Sequence, residues 1–98
     1  MQPTDETGRT LAWKALLVTA KVAAQQGDHD QAEQMYRRAL DNAEKRHGPE
    51  NIAIASILME LADYYDNSGR KSDSEQLYSR VRDILSSYAR ELLDGEEP

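Results

Sequence analysis

The 98-residue chain contains no cysteine, and this absence removes several kinds of site at once. Without thiols there is no disulfide framework, no thiol nucleophile and no zinc site built from thiolates. Long apolar runs are also missing, because none approaches the roughly 20 residues that a membrane-spanning helix needs. The polar, acidic start of the chain lacks the features of a secretory signal. We therefore expect a cytoplasmic protein with no membrane partner.

Basic charge is scarce and is concentrated nowhere in the chain. Twelve Lys and Arg stand against 18 Asp and Glu, which gives a formal net charge of −6. Much of the acidic excess lies near the two ends, since residues 10–93 carry 11 basic and 13 acidic side chains. Nucleic-acid binding requires a basic patch or stripe. A nucleic-acid partner is therefore not expected.

An internal repeat is the main feature that the sequence does contain. The segments Ala32–Arg38 and Ser74–Arg80 are identical at four of seven positions, and a fifth position pairs Met with Leu. The same 42-residue offset relates Ala20 to Ala62 and Gly27 to Gly69. A spacing that persists over so many positions indicates two copies of one structural unit.

Each unit has the pattern of a helix, a short turn and a second helix. Apolar residues recur at steps of three and four, as in Leu16, Ala20 and Ala23, which is the period of an α-helix. Ala15 and Val22 are expected to widen this buried stripe. The two glycines fit the left-handed residue that ends many helices. No segment alternates strictly between apolar and polar residues. The sequence therefore predicts an all-α protein with four helices and no sheet.

The chain resembles the tetratricopeptide repeat family at the positions that define its helix pair. These are a small residue where the two helices of a pair cross, the turn glycine, a small residue early in the second helix and an aromatic residue one turn later. In this chain they are Ala20, Gly27, Ala32 and Tyr36 in the first unit, and Ala62, Gly69, Ser74 and Tyr78 in the second. The 42-residue period is longer than the usual 34 or so and is similar to the kinesin-light-chain variant.

This resemblance implies a short right-handed superhelical array of two tandem repeats, made of four antiparallel helices. It also implies a non-catalytic scaffold or adaptor that binds a peptide or helix of another protein. The expected division is an acidic, disordered tail over residues 1–9, repeat 1 over 10–48, repeat 2 with an extended last helix over 49–93, and an acidic tail over 94–98.

The first helices of the two repeats are expected to line a shared concave face. Its candidate residues recur at helical spacing and are Lys14, Leu17, Lys21, Gln25, Ser56, Met59, Glu60, Asp63 and Asn67. One half is basic and the other acidic, which suits a peptide of mixed charge. The alternative is that Lys21 and Asp63 simply neutralise each other. The apolar Leu17 and Met59 favour a contact with a partner.

No residues in the sequence point to catalysis or to a cofactor. His29 and His47 are the only histidines, and neither has a chelating neighbour at helical spacing. The chain also lacks a nucleophile elbow and a phosphate-binding loop. We therefore expect no enzyme, no cofactor and no metal site.

Trp13, near the start of the first helix, fits either of two roles, packing in the core or contact with a partner at an interface.

The last helix carries more apolar surface than the helix before it can cover. The stripe reaches Ile84, Tyr88, Leu92 and Leu93, beyond the span of about three turns available from Ile54 to Tyr65. An exposed apolar strip of that length marks an interface. The sequence thus predicts a two-fold, isologous homodimer through this helix, or docking of a partner helix there. The alternative is a last helix that bends back or frays after Ser86, which would leave a monomer.

Overall fold

A computed structural model describes the backbone of residues 5–95 and the side chains of residues 12–95. Its elements are α1 (Asp5–Gln25), α2 (His29–His47), α3 (Ile52–Asn67) and α4 (Lys71–Gly95). No strand occurs within residues 5–95. The predicted all-α fold of two helix-turn-helix repeats is confirmed. None of the described helices is long and apolar enough to cross a membrane.

The chain divides into two compact units between Pro49 and Glu50, and each unit is one helical hairpin. In unit 1, α1 packs against α2. The interface is built mainly from alanines, among which Ala20, Ala32 and Ala39 are fully buried. Side chains this small let the two helix backbones approach closely.

In unit 2, α3 packs against α4 around larger side chains. Ile54, Ile57 and Leu58 are fully buried, and Ile84 from α4 is nearly so. Ala62 has no exposed surface, as the sequence predicted for the small residue of this helix pair. This core is bulkier than the alanine-rich core of unit 1, although the two units share one repeat pattern.

The turns of the two units have the same geometry. Gly27 has φ = 82° and Gly69 has φ = 81°, in the left-handed region that only glycine enters without strain. In unit 2, the Arg70 amide donates to the Tyr65 carbonyl at 2.9 Å and the Gly69 amide donates to the Asp66 carbonyl at 3.1 Å. These two bonds define a Schellman motif, and unit 1 repeats both of them. The predicted helix-ending glycines are therefore confirmed.

Side-chain caps begin two of the helices. Asp28 caps α2 by accepting a hydrogen bond from the Gln31 amide at 3.3 Å. Asn51 caps α3 by accepting one from the Ala53 amide at 2.8 Å. Each cap satisfies a backbone donor that a helix start would leave without a partner.

The ends of the helices differ from the boundaries expected from sequence. Helix α1 begins at Asp5, so residues 5–9 are helical and do not form a disordered tail. Helix α4 continues through Asp94 to Gly95 and shows no fraying after Ser86. Residues 1–4 and 96–98 of the two expected tails lie outside the described residues.

Candidate functional site

Three of the four candidate residues on α1 are exposed to solvent. Lys14, Lys21 and Gln25 lie on the surface, and the Lys14 ammonium stands 5.6 Å from the centre of the Trp13 ring. Leu17, however, is only 8% exposed. The prediction that Leu17 offers an apolar contact in the middle of a polar face is therefore wrong. Its side chain is part of the core.

The candidate residues on α3 form a largely polar surface with one apolar residue in it. Ser56, Asp63 and Asn67 are exposed, and Glu60 is half-buried. Met59 retains 44% of its surface exposed, so it is available to a partner as the sequence suggested. Whether this face binds a peptide stays a prediction.

Asp63 on this face takes part in a contact between the two helices of unit 2. The Tyr78 hydroxyl on α4 donates a short hydrogen bond to Asp63 Oδ1. This bond to a carboxylate stabilises the neutral phenol and raises the pKa of Tyr78 to about 12. The Asp63 carboxylate therefore links α3 to α4, a role that helical spacing alone did not reveal.

A cluster of polar and aromatic groups lies at the turn between α3 and α4. The Arg70 guanidinium stacks 4.3 Å from the centre of the Tyr65 ring, and its Nε donates to Asp73 at 2.9 Å. Nearby, the Lys71 ammonium donates to Asp66 at 2.6 Å. This hydrogen bond raises the pKa of Lys71. These contacts fix the turn, since both partners of each ion pair come from it or from the adjoining helix ends.

The end of α4 presents an apolar face to solvent. Its exposed fractions are 44% at Leu85, 44% at Tyr88, 55% at Leu92 and 67% at Leu93. Residues spaced by three, four and seven share one side of a helix, so Leu85, Tyr88 and Leu92 form one surface, and Leu93 lies at its edge, eight residues after Leu85. We call this surface the α4 strip. Ile84, which the sequence placed in the strip, is only 1% exposed and belongs to the core of unit 2 instead.

A second exposed apolar surface lies on α1, and the sequence reasoning missed it. Val18 is 59% exposed and Val22 is 46% exposed, and the side chain of Ala15 is exposed beside them. These three residues form what we call the α1 stripe. Ala15 and Val22 had been expected to widen the buried face of the helix. Their exposure shows that the buried face of α1 is narrower than the sequence predicted.

Trp13 is a core residue on α1. Its ring is 8% exposed and meets His47 of α2 edge-on, with ring centres 6.5 Å apart. The Trp13 Nε1 group is buried and has no hydrogen-bond partner among the described residues. Of the two roles that the sequence left open, the packing supports the core role.

Two basic residues of α2 form ion pairs along their own helix. Arg37 contacts Glu33 at 3.1 Å, and Lys45 contacts Asp41 at 3.1 Å, each with the four-residue spacing of neighbours on a helix. Within the described part of the chain, no three His, Asp or Glu side chains come together as a possible metal site. The surfaces that can bind a partner are therefore the polar faces and the two apolar ones.

Comparison with known proteins adds one finding to this geometry. The family model described as Tetratricopeptide repeat matches residues 14–87, which is most of the chain and includes both hairpins. No curated protein matches the chain. No solved structure matches it either. The repeated hairpin, its turn glycines and this match together place the chain in the tetratricopeptide repeat family.

Proposed function

We propose that this chain is a non-catalytic protein-interaction module that binds a helix of another protein. The observation that carries the proposal is the α4 strip. Leu85, Tyr88 and Leu92 extend over about two helical turns and remain exposed beyond Val81 and Ile84, the last apolar core residues of the helix. A contiguous apolar patch of this kind marks a site of protein association.

The chemistry of the strip describes the helix that would fit it. Such a helix needs an apolar stripe about two turns long to cover these side chains. Glu91 lies beside the strip, and Asp94, Glu96 and Glu97 add acidic charge at the end of the chain segment that carries it. Basic residues beside the stripe of the incoming helix would therefore suit these acids.

A peptide contact on the polar face of α3 is a second part of the proposal. The exposed Met59 among Ser56, Asp63 and Asn67 supports it, because it supplies apolar contact area within a hydrogen-bonding surface. The exposed Lys14, Lys21 and Gln25 of α1 would serve acidic residues of the same peptide. We also propose that the repeat is of the kinesin-light-chain type, on the strength of its 42-residue period. Cytoplasmic location stays a prediction.

Self-association is the alternative function, since an exposed apolar strip can also bind a second copy of the chain. A strip that meets the strip of a second copy about a two-fold axis would give the isologous homodimer expected from sequence. The chain would then be a structural unit, either a homodimer or part of a longer array, and would not need a peptide groove.

Site-specific photocrosslinking tests the role of the α4 strip. A benzophenone amino acid would replace Tyr88 in one full-length variant and Ser87, on the polar side of the same helix, in a matched control. We expect irradiation in cells to give covalent protein adducts from position 88 in clear excess over position 87. Equal yields at the two positions would refute binding at the strip, and the masses of the adducts would distinguish a second copy from a different protein.

A further inference from the structure

From these surfaces we infer that the α4 strip of one chain binds the α1 stripe of a second copy, so that the chains associate head to tail. The inference rests on the part of the proposed function in which the α4 strip binds a helix, and it takes that helix from a second copy of this chain and not from a different protein. Both surfaces belong to this chain and lie at opposite ends of its sequence. One copy therefore supplies both halves of the contact.

Burial at equivalent positions of the two repeats indicates that the α1 stripe is a surface to be covered. The 42-residue offset relates Ala15, Val18 and Val22 of α1 to positions 57, 60 and 64 of α3. There, Ile57 and Tyr64 are buried. Glu60, at the remaining one of these positions, is half-buried. Two of the three positions on this face of the repeat's first helix are therefore buried in unit 2, whereas all three are exposed in unit 1.

The second helices of the two repeats also differ in burial at equivalent positions, and here it is the α4 strip of unit 2 that is exposed. Leu85 corresponds to Ala43 of α2. Ala43 is fully buried, whereas Leu85 is 44% exposed although its side chain is larger and more apolar. An exposed leucine at a position that is buried in the other repeat indicates a surface that a partner would cover. The α1 stripe of a second copy is an exposed apolar helix face that could cover it.

Charge favours the pairing of α4 with α1 over the pairing of α4 with itself. Between residues 12 and 25, α1 carries Lys14 and Lys21 and no acidic residue. Both lysines are exposed on the side of the helix next to the α1 stripe. Residues 86–97 carry four acidic side chains and one arginine, a net charge of −3. Two α4 ends would repel each other, whereas α1 and α4 attract.

A head-to-tail contact leaves one free surface on each end of every pair. Such a heterologous interface does not close on itself unless the rotation between copies completes a ring. The expected species are therefore dimers and larger oligomers whose average mass rises with concentration. Added salt would weaken the association, since part of the attraction lies between exposed charges.

Complementary surface variants test the inference. Val18→Glu with Val22→Glu blocks the α1 stripe, and Tyr88→Glu with Leu92→Glu blocks the α4 strip. Gln34→Glu with Gln76→Glu is the matched control, because it adds the same charge at exposed positions elsewhere. Circular dichroism establishes that each variant is folded, and Val18→Ser with Val22→Ser replaces the first pair if it is not. Light scattering coupled to size exclusion then gives the mass of each sample.

The inference requires wild type and control to form oligomers, and each blocked variant to remain near the 11.1 kDa of one chain. An equimolar mixture of the two blocked variants retains one intact contact and should form a 1:1 dimer of about twice that mass. A dimer that survives in the α1 variant would overturn the inference in favour of pairing between two α4 strips. A wild-type chain that is monomeric up to millimolar concentration would also overturn it. In that case, crosslinks from position 88 to a different protein would leave the proposed function standing.

Discussion

Replacing Gly69 with alanine isolates the energetic cost of its backbone conformation. Gly69 has φ = 81°, and a Cβ atom built on it would meet no atom within 4 Å. The substitution therefore creates no steric clash with the rest of the protein. Its cost comes from placing a residue with a Cβ in the left-handed region, about 1–2 kcal/mol. Alanine also restricts the unfolded chain, which returns about 0.4–1 kcal/mol.

The net expectation is a loss of about 1 kcal/mol in the free energy of unfolding. For a chain of this size that loss corresponds to a fall of about 4–8 °C in Tm. Urea and thermal denaturation followed by circular dichroism at 222 nm would measure both quantities. Gly69→Asn should lose less than Gly69→Ala, because asparagine tolerates the left-handed conformation better than alanine does.

Gly95 provides a matched control for this measurement. It also has open space around its Cβ position, but it has no positive φ and is the last residue of α4. Gly95→Ala should therefore leave stability unchanged or slightly increased, because alanine favours a helix more than glycine does. If Gly69→Ala were as stable as Gly95→Ala, the Schellman turn between α3 and α4 would be wrong.

Three further substitutions test the packing, the link between helices and the caps. Ala62→Leu should cost about 1–3 kcal/mol of unfolding free energy in urea titrations, since Ala62 has no exposed surface, whereas Ala89→Leu at an exposed position of α4 should cost far less. Tyr78→Phe should remove a phenol that titrates near pH 12 from an ultraviolet absorbance titration. Because the pKa is raised in the folded state, the stabilisation by this bond is complete below the ordinary tyrosine pKa of about 10 and is lost as the pH rises through 12. Wild type and Tyr78→Phe should therefore differ in their free energy of unfolding at pH 7, and this difference should disappear above pH 12. A difference that stays the same at all pH values would contradict the prediction. Asp28→Ala should cost about 1 kcal/mol by removing the N-cap of α2, and an unchanged Tm would show that this cap contributes nothing.

The sequence by itself determined the repeat and the local structure. The 42-residue offset and the helical period of the apolar residues predicted two helical hairpins. Gly27 and Gly69 were identified from sequence because a chain that ends one helix and begins an antiparallel one within a few residues needs a residue that accepts positive φ. The Asp28 cap is equally local, because its side chain accepts a hydrogen bond from the Gln31 amide three residues away. Such features depend on short stretches of chain, which a single sequence displays directly.

Only the tertiary structure decided which residues on each helix are covered. Periodicity identifies the side of a helix on which residues lie, but the width of the buried face depends on what packs against it. For this reason Leu17 proved buried and Met59 exposed, although the repeat places them at equivalent positions. For the same reason, Val22 was expected to be buried and is exposed, whereas Ile84 was expected to be exposed and is buried. The candidate interaction surfaces therefore had to be measured in the folded chain, because exposure is set by neighbours that are distant in sequence.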